Sequence, residues 1–202
     1  PVDTSRDPQE LADILTQAGI PVEDVINMDP GLKKIYTGKI VEITKHPDAD
    51  KLQVCQVECL TEEGEPVTKQ IVTAATNVAV GQVVPVAYHK SRLADGTEIK
   101  KGKLRGEVSE GMFCSVNELG ISKDLVQPEE ATGIYIFPEG TPICKDVREV
   151  FMMNDYFYEF ELTASRGECF SMVGLSREFA VLTGQKATFP EFSVEENGHY
   201  IE

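Results

Sequence analysis

Six cations, Lys90, Arg92, Lys100, Lys101, Lys103 and Arg105, fall within sixteen residues that hold only Asp95 and Glu98 as acids. Side chains of this kind at this density can neutralise a run of phosphates, and such binding weakens steeply with salt. A lysine-rich segment taken alone is more often a solvated hairpin. Covalent chemistry has no comparable signature. There is no glycine-rich phosphate loop, no HExxH, no GxSxG, and no constellation of Ser, His and Asp. Glu62, Glu63 and Glu65 crowd one turn, and Glu159 and Glu161 alternate along a strand-like run, both patterns of solvated charge.

Metal and redox chemistry are equally unsupported. His46, His89 and His199 stand far apart and read as structural or solvent-exposed. Cys55 and Cys59 lie in LQVCQVEC, where an extended chain separates them by roughly 13 Å. That exceeds the reach of a disulfide or a shared zinc ion. With Cys114, Cys144 and Cys169 the cysteines are odd in number and irregular in spacing, which suits free thiols in a reducing compartment. No metal is expected.

The overall charge narrows what the basic cluster can do. The 202 residues carry 19 Lys+Arg against 34 Asp+Glu, a formal net charge of −15, which argues against a general nucleic-acid coat. The imbalance is uneven: residues 1–37 carry −4, residues 38–127 carry −2 and residues 128–202 carry −9. The nearly balanced middle holds the cluster, so any RNA contact is local and salt-sensitive. The 41% hydrophobic content suits a folded, soluble chain, and no apolar run approaches the roughly 20 residues that span a bilayer. The chain starts at Pro1 rather than at a methionine, so residues before it are expected.

Three kinds of element must position these groups. DPQELADILTQAG has Asp7 to cap a helix, Pro8 at its first position, Glu10 as a capping-box carboxylate and Gly19 as its stop. From about Thr37, short apolar runs (TGKIVEIT, LQVCQVEC, KQIVTAAT, QVVPVAY, GMFCSV, GIYIF) alternate with turn-rich segments. This predicts a small closed or nearly closed β-barrel. Within it SVNELG predicts one helical turn, with Ser115 as N-cap and Glu118 three residues on. After Pro138, KDVREVF has helical spacing, FYEFELT alternates as a strand, and SMVGLSREFAVLTG is a helix with Ser171 as cap and Gly184 as stop. The two flanks are too small to bury cores separately. They are expected to fold together, as one discontinuous α+β domain from residues 1–36 and 139–190, with the barrel of residues 37–138 inserted and residues 191–202 leading to further domains.

HPDADKLQVCQVEC, IVTAATNV and KLRGEVSEGMFCSVNELGI, in that order and spacing, resemble the tRNA-binding OB domain. That domain is shared by the endothelial-monocyte-activating polypeptide, stand-alone bacterial tRNA-binding proteins and the β chain of bacterial phenylalanyl-tRNA synthetase. The flanks YEFELTASRGECFSMVGLSREFAVLTG and ELADILTQAGIPVEDV resemble the amino-terminal region of the synthetase β chain, and the stand-alone proteins lack both. Ser165, Arg166, Gly167, Glu168 and Cys169 replace the usual Asn-Arg-Pro-Asp-Cys turn, and Thr73, Ala74, Ala75, Thr76 and Asn77 replace Cys-Gly-Ala-Pro-Asn.

The resemblance implies a five-stranded OB barrel set in an α+β domain, and a non-catalytic, tRNA-binding module of a cytoplasmic enzyme. Asn77, Lys90, Arg92, Lys100, Lys101, Lys103, Arg105, Ser115, Asn117 and Glu118 become the candidates for tRNA contact. It also implies ATP and magnesium as cofactors of the parent enzyme, and the synthetase α subunit as partner in a tetramer of two α and two β chains, with neither membrane nor DNA involved. Two other functions fit the same residues: an assembly module without RNA affinity, and a stand-alone tRNA-binding or chaperone-like protein.

Overall fold

The computed structural model describes residues 4–60, 66–128, 131–189, 191 and 193. The turn with Glu62, Glu63 and Glu65, and the tail with His199, lie outside the described residues. In chain order come helix α1 (Pro8–Gln17) and strands β1 (Val22–Asn27), β2 (Lys33–Lys45), β3 (Gln53–Leu60), β4 (Pro66–Thr73), β5 (Val83–Arg92), β6 (Gly102–Leu104), β7 (Glu107–Ser109) and β8 (Gly111–Phe113). A 3-10 turn at Lys123–Leu125, helix α2 (Val147–Val150), strand β9 (Tyr156–Phe160), a 3-10 stretch at Ala164–Phe170 and helix α3 (Met172–Thr183) follow. The class is α+β, as the element pattern indicates. The chain divides into two compact units, Met28–Asp155 and the combination of Pro1–Asn27 with Tyr156–Glu202.

The Met28–Asp155 unit is built on an antiparallel sheet in the order β4-β3-β2-β5-β8. β2 is long enough to serve two neighbours, pairing with β5 through Lys33–Lys39 and with β3 through Lys39–Lys45. At the crossover stands Gly38, where a Cβ would lie 2.7 Å from Val57 and 2.8 Å from Val86, so only glycine lets the strands approach this closely. The apolar run of β5 is buried on both faces. Val84, Val86 and Tyr88 join Ile40, Cys55, Val57, Cys59, Ile71 and Phe113 in one core. Val83 and Ala87 face a second core around Leu32, Ile35, Cys114, Val116, Leu119 and Val147.

GIYIF, expected as a strand, is extended but forms no ladder. Ile134 and Ile136 enter the first core while Tyr135 and Phe137 enter the second. Backbone bonds tie Tyr135 to Cys114 and Phe137 to Val83. The outer edge of β4 meets the segment between β7 and β8: Glu110 N–H donates to the Gln70 carbonyl (2.9 Å), and the buried Ser109 hydroxyl accepts from Val72 N–H (3.0 Å).

Residues on both sides of the 37–138 span belong to this unit. Buried Thr37 is clasped by Lys145, whose amide donates to the Thr37 hydroxyl at 3.0 Å and whose carbonyl accepts from Thr37 N–H at 2.8 Å. Arg148 reaches Asp146 at 2.7 Å and Asp29 at 3.3 Å.

The second unit packs α1 and α3 with the antiparallel β1–β9 pair. Its core is Leu11, Leu15, Ile20, Cys169 and Phe179, joined by Val22, Tyr158, Phe160 and Leu175. Asp7 caps α1 by accepting from Gln9 and Glu10 amides, and Ser171 caps α3 by accepting from Gly174 N–H. Strand β1 carries no clear sequence signal, because only Val22 and Val25 of its six residues are half-buried.

Candidate nucleic-acid interface

Five of the six cations are placed on two successive hairpins, and Lys101 lies between them. The first hairpin continues β5 beyond the core: Lys90 N–H donates to the Ile99 carbonyl (2.7 Å), Ile99 N–H donates to the Ser91 carbonyl (2.8 Å), and the backbones of Arg92 and Glu98 pair as an isolated antiparallel β-bridge. Its turn is closed by Asp95, whose carboxylate accepts from both the amide and the hydroxyl of Thr97. These two bonds hold the Asp95 carboxyl below its usual range. Lys90, Arg92 and Lys100 are exposed along this hairpin.

The second hairpin is β6–β7, in which Lys103 faces Val108 and Leu104 faces Glu107. Arg105 (φ 50°) and Gly106 (φ 99°) form its two-residue loop. Two positive φ values in succession match the twist of tight hairpins. Lys103 and Arg105 are exposed. Lys101, between the hairpins, differs from the other five: its ammonium binds Glu110 at 2.8 Å and holds that carboxyl below its ordinary value. Among the described residues none of the other five is ion-paired.

Of the remaining candidates, Ser115, Glu118 and Asn77 are committed to internal bonds. Glu118 accepts from the Ser115 amide (2.6 Å) and hydroxyl (2.7 Å), so the turn at residues 115–120 is closed by the carboxylate alone: the Ser115 hydroxyl, expected to cap a backbone amide, donates to Glu118 instead. That turn touches the first hairpin, with Ala94 N–H donating to the Glu118 carbonyl at 3.1 Å. Asn117 is exposed on it. Asn77 is half-buried and bonds both backbone groups of Ile134.

Two further side chains shape the region. Lys69 places its ammonium 4.7 Å from the centre of the Tyr88 ring. Its register opposite Val57 puts it on the inner face of the sheet. His46 is 2% exposed and bonds Leu104 of the second hairpin. Its proline-containing turn just before a strand was the available signal, but its partner lies 58 residues away. Among the described residues no three His, Cys, Asp or Glu side chains converge to hold a metal ion, and no helix is long and apolar enough to cross a membrane.

Residues 35–134 match the family described as "Putative tRNA binding domain". The chain carries a tRNA-binding domain of this family. The matched span contains both basic hairpins, Asn77 and the Ser115–Gly120 turn. Around the tRNA-binding domain, likeness extends over nearly the whole chain. It is 43% identical over 200 residues to the phenylalanine–tRNA ligase β subunit of Moorella thermoacetica, covering 99% of this chain and 24% of that protein. It is 41% identical over 196 residues to that of Latilactobacillus sakei, again 24% of the relative, and 43% identical over 196 residues to that of Staphylococcus epidermidis. The chain spans about a quarter of the length of the curated relatives it matches.

Proposed function

We propose that the chain is the tRNA-binding, non-catalytic part of a phenylalanine–tRNA ligase β subunit. The parent complex would join phenylalanine to its tRNA, acting in the cytoplasm with the α subunit in a tetramer of two α and two β chains. The tRNA-binding domain would be an OB-type barrel inserted into a discontinuous α+β domain formed by the flanks. The observation that carries this reading is the placement of five exposed cations without ion pairs on two adjoining hairpins of the matched domain.

In this reading Lys103 and Arg105 meet the phosphate backbone most directly, with Lys90, Arg92 and Lys100 beside them. Lys101, Asn77, Ser115, Asn117 and Glu118 line the region. Catalysis of the parent reaction uses ATP and magnesium. By the family resemblance both would be held outside this chain, where the aminoacylation site lies. The chain's own contribution is to bind and orient tRNA. Titration of labelled tRNA across a salt series tests this: affinity should be measurable at low salt, and Lys103→Ala with Arg105→Ala should reduce both affinity and salt slope. No detectable binding at low salt would sink it.

A second reading has its own support. Ile26 and Phe157 face each other across β1–β9, and Phe157 (57%), Phe170 (76%) and Met172 (79%) are exposed. These apolar side chains favour a packing role for the flanking unit within the larger subunit.

A further inference from the structure

We propose that His46 is a positioning residue for RNA binding: its imidazole locks the turn after β2 to the β6–β7 hairpin, so that Lys103 and Arg105 are presented on a fixed rim. The proposal rests on the tRNA-binding reading. His46 opens a polar turn yet is 2% exposed. Its Nδ1 accepts from Asp48 N–H at 3.1 Å, and its Nε2 lies 2.9 Å from the Leu104 carbonyl. An N–H at one nitrogen and a C=O at the other are both satisfied only by the neutral ring with its proton on Nε2. Leu104 stands between Lys103 and Arg105, so the ring grips the backbone at the base of both cations.

The hairpin needs such a grip. Its strands have three residues each, too few for independent stability. Two other attachments hold its far strand to β4: Gln70 donates to Glu107 (3.1 Å) and to the Val108 carbonyl (2.9 Å), and Ser109 accepts from Val72 N–H. His46 alone, among the described side chains, bonds the strand that carries Lys103. A hairpin already ordered before RNA arrives spares the complex the entropy of ordering it.

The two imidazole bonds can be separated by substitution. In His46→Asn the amide oxygen can replace Nδ1 and keep the Asp48 bond, but the side chain is too short for Leu104. In His46→Gln the longer side chain can reach the Leu104 carbonyl. The test uses the 202-residue chain, a fluorescein-labelled tRNA(Phe) transcript at several salt concentrations, and amide hydrogen exchange across Gly102–Ser109.

His46→Asn should weaken binding about fivefold. It should leave the salt slope intact and quicken exchange in the hairpin, and His46→Gln should restore most of both effects. Lys103→Ala with Arg105→Ala should instead flatten the salt slope by about 2. Unchanged exchange and affinity in His46→Asn overturn the positioning role, as does failure of His46→Gln to restore either. If the native chain does not bind the transcript, the functional reading fails, and hydrogen exchange still decides whether His46 holds the hairpin.

Discussion

Asn77 and Ile134 exchange two hydrogen bonds: Asn77 Nδ2 donates to the Ile134 carbonyl at 2.8 Å, and Asn77 Oδ1 accepts from Ile134 N–H at 3.2 Å. The pair gives the extended GIYIF segment the partner that a neighbouring strand would otherwise supply. Asn77→Asp puts a carboxylate oxygen against the Ile134 carbonyl, and a loss of about 1–3 kcal/mol in denaturant unfolding is expected. Asn77→Ala should fall in the same range.

Gly38→Ala tests the crossing of β2 between two neighbours. The new methyl meets branched side chains, Val57 and Val86, on both sides. Overpacking of this kind costs about 1–3 kcal/mol. Calorimetric melting should show the loss, and Val57→Ala in the same chain should return part of it.

Arg148 binds Asp146 through two nitrogens (3.0 and 2.7 Å) and Asp29 through a third. The hydrogen bonds to Asp146 hold its guanidinium above the usual range. Arg148→Met strands two carboxylates and should cost about 1–2 kcal/mol, since the group is part-exposed. Arg148→Lys cannot reproduce the fork. Urea titrations at low and high salt should show the deficit of Arg148→Met shrinking as salt rises.

The Lys101–Glu110 pair supplies a pH dependence. The Lys101 ammonium lowers the Glu110 pKa in the folded chain, so the folded state takes up this proton less readily than the unfolded state. The stabilisation is therefore complete above the ordinary carboxylate value and is lost as pH falls through the lower folded one. In Lys101→Ala the Glu110 carboxyl should move back up, visible in a carbon NMR titration. Because Lys101 is already engaged, this substitution should weaken tRNA binding less than Lys103→Ala.

Thiol labelling reads the two cores directly. Burial pushes the Cys55 thiol up to about 11 and raises that of Cys114 further, and both are fully buried. Cys59 is buried beside the Tyr88 hydroxyl. Cys144 alone among the five is only half-buried. Iodoacetamide under native conditions should therefore modify Cys144 first, with Cys55, Cys59 and Cys114 reacting only after unfolding. Mass spectrometry of digests gives the order.

How much of this was legible depended on the range of each interaction. Asp7, Ser171 and Gly184 mark helix ends through bonds to residues two to four positions away, and each does so in the structure. Glu10 departs from its expected role: its carboxylate turns to Arg6 at 3.1 Å instead of back to the cap. The strand character of β5 was plain from its apolar run, but its burial on both faces depends on segments near Leu32 and Val147. The basic cluster was visible by count, whereas the one cation neutralised by a carboxylate was not. Likewise His46 reads as an ordinary turn residue until Leu104 is brought beside it.

The Thr37–Lys145 clasp also bears on synthesis. A chain emerging from the ribosome cannot complete the start of β2 until residue 145 has left the exit tunnel, and long-range pairings of this kind are slow to form. The flanking unit waits longer, because Tyr158 must reach back to the Pro8 carbonyl, 150 residues earlier. Helix α1 thus acquires its partner only after some 150 further residues have been made, and until then its apolar face is the surface a nascent-chain chaperone would meet.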